Sequence, residues 1–327
     1  MPGHPQNHSD SIWPGKEPGI SEAQFKKVAS SVKKNLADDP ALISNPGIIE
    51  QVYLPLSAWI ESKKAYKEGM LIVGVNGGQG TGKSTLCRFL ECIFSAGFGR
   101  QTVTLSIDDL YLTRSERRQL ARDVHPLLKT RGVPGTHNVD LGLNIMDRLA
   151  KLKKGEKCAI PRFDKSMDDR YPEQKWPTVS GPVDILLFEG WCVAAKPQDE
   201  GDLANPVNDL ERTEDASGIW RRYVNVTLRT TYTPLFDRID VLIMLKAPGL
   251  EKIIEWRIKQ EKMLAELKSA SKGDTNSEDR IMSEKDVRWF IQHYERLSRH
   301  MMDEMVQRAD VILHLNDNHG VDRIEIH

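Results

Sequence analysis

Apolar residues along the chain fall into two alternating kinds of pattern. Five short, nearly continuous runs stand out: LIVGV (Leu71–Val75), TVTLSI (Thr102–Ile107), DILLF (Asp184–Phe188), VLIML (Val241–Leu245) and VILHL (Val311–Leu315). Runs of this length with so little alternation suit strands covered on both faces, as in a parallel sheet. Between them, apolar positions recur at helical spacing. Leu86, Phe89, Leu90 and Ile93 mark a helix over 84–94, and a second covers 251 to about 268. A third runs from 285 to about 308, with Val287, Phe290, Ile291, Tyr294, Leu297, Met301 and Met305 as its apolar stripe. Upstream, Ser21 and Gln24 form a capping-box pattern ahead of Phe25, Val28, Val32 and Leu36, and a further helical stretch follows over 56–67. These predict an N-terminal helical extension on the main fold.

Two regions break the alternation. Residues 110–182 are too long for a simple crossover and rich in turn formers, which predicts a functional insertion. The segment SASKGDTNSED, starting at Ser269, is small and polar and predicts a mobile loop over about 269–280. Residues 1–20 read as a flexible lead, and 21–327 as a single α/β domain.

Composition narrows the function classes. With 28% charged residues and a net charge of -1, the chain has no overall excess of either sign, which argues against a general nucleic-acid binder. Cys87, Cys92, Cys158 and Cys192 form neither a CxxC pair nor a zinc-like cluster, so a reduced compartment is expected. The N-terminus lacks a secretory core, and no run approaches the roughly 20 apolar residues of a membrane span. The expectation is a cytoplasmic protein without membrane, nucleic-acid or obligate protein partners.

The chemistry is most legible after the first strand. Gly77, Gly78, Gln79, Gly80, Thr81, Gly82, Lys83, Ser84 and Thr85 match GxxxxGK[ST], and the match sits between an apolar strand and an amphipathic helix. Glycines let backbone N–H groups approach a triphosphate, and the helix adds its positive end. Lys83 can neutralise the β- and γ-phosphates, while the Ser84 hydroxyl can ligate Mg²⁺. A structural turn would need the glycines but not Lys-Ser, so ATP and Mg²⁺ are the expected cofactors.

Acids stand where two strands end: Asp108-Asp109 after TVTLSI, and Glu189 after DILLF. Carboxyl ends of parallel strands are where ligands gather. Phosphoryl transfer needs a carboxylate to take the acceptor proton and others to hold the metal. Asp108 is the candidate base and Glu189 the candidate metal-linked acid, with the two roles interchangeable on sequence alone. Asp109 serves equally well as a turn cap or a substrate contact.

Together these segments resemble a family. The phosphate loop, SIDDLY (Ser106–Tyr111), RGVPGTHNVDL (Arg131–Leu141), PRFDKSMDDR (Pro161–Arg170) and FEGWCV (Phe188–Val193) resemble the P-loop glycerate kinases, which are similar to phosphoribulokinase, uridine kinase and bacterial pantothenate kinase. PVNDLE (Pro206–Glu211), WRRYVN (Trp220–Asn225), EWRIKQE (Glu255–Glu261) and HYERLSRHM (His293–Met301) carry the likeness further, from about Leu54 to Leu315. The resemblance implies a P-loop NTPase kinase fold with a parallel five-stranded sheet flanked by helices. It also implies transfer of the γ-phosphate to a hydroxyl of a small anionic metabolite, D-glycerate giving 3-phosphoglycerate. Asn138 departs from the Asp expected in that segment, which bears on the substrate.

The insertion holds Arg131, His137, Arg162, Lys165 and Arg170, donors suited to an anionic acceptor. With Asp109 and Tyr111, all of these except Arg170 form the expected substrate contacts. The resemblance places EWRIKQE in a lid, with Arg257 reaching the transferring phosphoryl group and Arg221 and Arg222 as weaker candidates. Glu255 with Lys259 and Arg257 with Glu261 are also plain i,i+4 pairs. Two other readings remain: a kinase of the same fold acting on pantothenate, a nucleoside or a sugar phosphate, and a nucleotide-dependent switch. The absence of an NKxD element weighs against a guanine-reading switch.

Overall fold

The five apolar runs all become strands of one sheet: β1 (Leu71–Gly77), β2 (Thr102–Ser106), β3 (Ile185–Gly190), β4 (Val241–Lys246) and β5 (Val311–Leu315). The structure, a computed structural model, describes residues 12–14, 21–270 and 282–327. Neighbouring strands among the five run parallel in the order β2-β3-β1-β4-β5. Every residue of β1 and β3 is buried, which explains why these runs carry no polar alternation.

The five-stranded expectation needs one addition. A sixth strand, β6 (Val321–Ile326), pairs antiparallel with β5 and closes that edge. Only Val321 and Ile324 of β6 are buried, and Asp322 and Arg323 face solvent, as suits an edge strand with charges that discourage further pairing.

Side chains alternating along the strands build a core on each face. Val73, Val75, Ile243 and Leu313 point to one face and pack with Phe89, Leu90 and the N-terminal helices. Ile72, Leu105, Phe188, Leu242 and Ile312 point to the other and pack with the insertion and the last long helix. The N-terminal extension is present as α1 (Glu22–Asn35) and α2 (Leu54–Ala65), which pack on α3 (Lys83–Ile93). The Gln24 side chain of the expected capping box, nearly all of the 1–20 lead and most of the 269–280 loop lie outside the described residues.

The insertion contains α4 (Arg114–Asp123) and α5 (Val139–Lys151), followed by two short antiparallel pairs, Lys157–Ala159 with Thr178–Ser180 and Phe163–Asp164 with Asp169–Arg170. Asn138 caps α5, its side-chain oxygen accepting from the Leu141 N–H at 2.9 Å. Asn and Asp cap equally well, so the departure noted in that segment is met by capping and needs no substrate explanation. Beyond β3 come α6 (Ile219–Thr227), α7 (Leu250–Ala270) and α8 (Glu284–Glu304), the last opened by a capping box between Ser283 and Asp286.

Candidate active site

The phosphate loop joins the end of β1 to the start of α3. Gly80 and Gly82 have φ of 78° and 89°, a left-handed backbone in which a side chain would be strained. The Gly78 carbonyl accepts from the Thr81 hydroxyl at 2.8 Å and from Lys83 Nζ at 2.9 Å. Burial pulls the Lys83 ammonium below its usual pKa, against the favourable fields of Glu189 and Asp108. Such a lysine is electrostatically poised for an anion, which would compensate the lost hydration.

Beside the loop lies a cleft of about 330 Å³ whose wall includes Gln79, Gly80, Lys83, Ser84, Asp108, Glu189, Arg131, Lys165 and Arg257. Glu189 is the fifth residue of β3, inside the strand and not past its end, so the sheet itself fixes its position. Its Oε1 accepts from the Ser84 hydroxyl at 3.1 Å. Among the described residues, no three His, Cys, Asp or Glu side chains converge into a metal site made by protein alone.

Asp108 sits on a single 3₁₀ turn, Ile107–Leu110, immediately after β2. Tyr111 donates its hydroxyl to Asp108 Oδ1 at 2.9 Å, and Lys165 donates to Oδ2 at 2.7 Å. Burial alone would raise the Asp108 pKa, but Lys165, the Tyr111 hydroxyl and His137 outweigh it and hold the carboxyl below its usual range. The adjacent Asp109 points the other way. It accepts from Arg162 at 2.8 Å and from the Phe163 N–H at 3.0 Å, and burial, opposed chiefly by Arg162, raises its pKa.

The predicted substrate residues therefore divide. Tyr111, Arg131 and Lys165 reach the cleft, whereas Asp109 and Arg162 pair with each other to tie the insertion to the 3₁₀ turn. His137 is buried behind Tyr111, their rings stacked at 4.5 Å. The Gly135 N–H donates to the Tyr232 hydroxyl at 2.9 Å, and the same hydroxyl pairs with His137 Nδ1 at 2.6 Å. His137 Nε2 is buried with no hydrogen-bond partner among the described residues, and burial lowers the His137 pKa to about 4. Arg170 donates to the Tyr111 carbonyl at 2.9 Å and so braces the same turn.

Arg257 lies on the cleft wall and pairs with Glu261, as its spacing predicts; Glu255 instead pairs with Lys252 at 2.8 Å. Arg221 and Arg222 take no part in the cleft. Arg221 is buried against Asp215 at 3.0 Å, and Arg222 donates to the Ser217 carbonyl.

A second cavity, of about 760 Å³, opens on the other side of the loop and shares Gly80 and Gln260 with the first. Its wall includes Thr81, Gly82 and Thr85 from the loop, with Tyr53, Trp256, Asn316, Asn318 and His319. Trp256 and His319 stack at 4.2 Å. Sequence reading missed this cavity, and also Gln260, Trp191, Phe290 and Tyr294 on the first wall. Phe290 and Tyr294 belong to the predicted apolar stripe of α8, where the helical period disguised their exposure to the cleft.

No protein-family model matches the chain. The chloroplastic D-glycerate 3-kinase of Arabidopsis thaliana is 30% identical over 260 residues, covering 74% of this chain, which spans about half (52%) of that relative's length. An uncharacterized kinase of Schizosaccharomyces pombe is 32% identical over 231 residues, covering 68% of this chain and 78% of the relative. The chain belongs to the family of P-loop kinases that includes D-glycerate 3-kinase. A solved structure of D-glycerate 3-kinase from Cryptococcus neoformans var. grubii has a TM-score of 0.70 and 25% identity, covering 84% of this chain and 99% of that one. For this P-loop kinase, no described helix is long and apolar enough to cross a membrane.

Proposed function

We propose that this kinase transfers the γ-phosphoryl group of ATP, with Mg²⁺, to a hydroxyl of a small carboxylate-bearing metabolite, D-glycerate giving 3-phosphoglycerate. The observation that carries this reading is the placement of Asp108, a carboxylate fixed on the same cleft wall as Lys83, with Arg131 and Lys165 from the insertion beside it. The names of the plant and fungal relatives favour glycerate as the acceptor.

The roles follow from chemistry. Asp108 takes the proton of the acceptor hydroxyl as its oxygen attacks the γ-phosphorus. The bond from that phosphorus to the β–γ bridging oxygen breaks, and ADP leaves with the electron pair. Lys83 and the loop amides neutralise charge on the phosphates, and Arg257 reaches the transferring group from α7. Arg131 and Lys165 hold the acceptor's anionic end. Ser84 and Glu189 offer a hydroxyl and one carboxylate, a set that fits Mg²⁺ because this ion keeps water and substrate phosphate for most of its shell. When bound, it would supply charge neutralisation at the phosphates.

The second cavity suits the nucleoside: an aromatic wall from Trp256 and His319 for the base, and the Asn318 amide for its edge. A second acceptor, pantothenate, is favoured by one observation. The pantothenate kinase of Lactococcus lactis subsp. lactis is 27% identical over 301 residues, with 84% of each chain covered.

A coupled ADP-release assay across D-glycerate, pantothenate, uridine and ribulose 5-phosphate tests the assignment, with NMR identifying the product. Turnover of D-glycerate to 3-phosphoglycerate above the others supports it. Preferential turnover of pantothenate would transfer the reading to that acceptor, and ATP consumption only with a protein partner would replace the kinase reading by a switch.

A further inference from the structure

The cations on the cleft wall that come from the insertion are already paired, and the pairs differ in how easily they open. Arg131 pairs with Asp168, which is also held by the buried Arg117 at 2.9 Å. Lys165 pairs with Asp108 itself, on the oxygen that Tyr111 leaves free. Tyr111 is buried, whereas the Lys165 side chain is 63% exposed on a flexible stem. Of the two partners of Asp108, Lys165 is therefore the exchangeable one.

The hairpin carrying Lys165 is anchored at both ends. The Phe163 N–H donates to Asp109 at 3.0 Å, and Arg117 donates to the Asp168 carbonyl at 2.7 Å. Exchange consequently involves the side chain of Lys165 alone and requires no movement of its backbone.

We propose that Lys165 is an acceptor-operated latch on the base: it caps Asp108 until a substrate carboxylate draws its ammonium away. Water and neutral alcohols carry no charge to draw it, so Asp108 stays capped against them. An anionic acceptor pairs with Lys165, frees Oδ2, and places its hydroxyl where that oxygen can take the proton. The phosphoryl transfer is otherwise the one described above, and the latch rests on that reading of Asp108 as the base. It makes Lys165 a determinant of two discriminations, carboxylate over neutral acceptor and acceptor over water.

The test uses the full chain and its Lys165→Met and Lys165→Arg variants. ADP release from MgATP is measured with no acceptor, with D-glycerate and with glycerol, which keeps the hydroxyl pattern but lacks the carboxylate. In Lys165→Met, acceptor-free hydrolysis should rise about 2- to 5-fold, the release of one exposed ion pair. The preference in kcat/KM for D-glycerate over glycerol should fall about 10- to 100-fold, the loss of one charged contact. Lys165→Arg should restore low hydrolysis. A merely structural lysine would lower turnover without raising hydrolysis, so unchanged or reduced acceptor-free hydrolysis in Lys165→Met overturns the latch. If the wild type phosphorylates neither compound, the acceptor assignment fails separately, and the hydrolysis comparison still decides the latch.

Discussion

The two cavities that meet at Gly80 and Gln260 are built from opposite materials. The smaller one gathers Lys83, Asp108, Arg131, Lys165, Glu189 and Arg257, while the larger one has Lys259 as its formally charged member beside aromatic rings and side-chain amides. Burial and the nearby Lys259 push the His319 pKa below its usual value, which favours the neutral imidazole there. Charge is thus concentrated on the side where charge must move. A triphosphate and an anionic acceptor need compensating ions, whereas a heteroaromatic base needs a flat apolar surface and a few directed hydrogen bonds. The loop is the partition, with backbone amides that serve the phosphates between the two.

Substitutions on either side should therefore fail differently. The largest effect is expected for Asp108→Asn, with kcat lowered about 10²- to 10⁴-fold as the general base is lost. Nucleotide affinity measured by calorimetry should stay within a few fold; an unchanged kcat would remove Asp108 from the chemistry. Lys83→Ala should lower kcat/KM by about 10²- to 10³-fold and weaken nucleotide binding as well, since its charge acts on the phosphates in both states. Across the partition, His319→Ala should raise the nucleotide KM about 2- to 10-fold through loss of the Trp256 stack, with kcat nearly constant. A fall in kcat with KM unchanged would show that the two sides are not separated as described.

The smallest effect concerns the support behind the charged wall. His137 has its folded pKa lowered to about 4 from an ordinary 6.5, so the unfolded chain takes up its proton first as pH falls. That contribution to stability is complete above about pH 6.5 and is lost as pH drops toward 4. Over the whole window it amounts to roughly 3.5 kcal/mol at most, since each tenfold change in proton affinity is worth about 1.4 kcal/mol. Chemical denaturation at several pH values should show a shallower loss for His137→Asn, whose side-chain amide can still pair with Tyr232; an unaltered slope would show that His137 titrates normally.

How much of this was legible in the sequence depends on whether the constraint is contiguous. The strands from Leu71 to Leu315 are visible because burial on both faces removes polar residues from a continuous run. The phosphate loop is visible because one ligand touches successive residues. β6 was missed because an edge strand intersperses Val321, Ile324 and Ile326 with Asp322, Arg323 and Glu325, too polar a run to stand out. The larger cavity was missed because its wall is assembled chiefly from Ser44 to Tyr53, Gly80 to Leu86, Trp256 to Met263 and Leu313 to Val321, stretches far apart in the chain that no sequence pattern brings together. Neighbours with the same chemistry are the hardest case. Asp108 and Asp109 differ by one residue on a 3₁₀ turn, and only the fold decides that the first faces the cleft and the second faces Arg162.

That pair of adjacent carboxylates has an evolutionary consequence. One is the proposed base and the other is the mooring of the acceptor-binding region, so the two are mechanically inseparable. Replacing residues 110–182 wholesale with the equivalent region of another kinase would pull on the turn that aims Asp108. New acceptor preferences on this scaffold would arise more readily by point changes around Arg131 and Lys165 than by exchange of the region as a module.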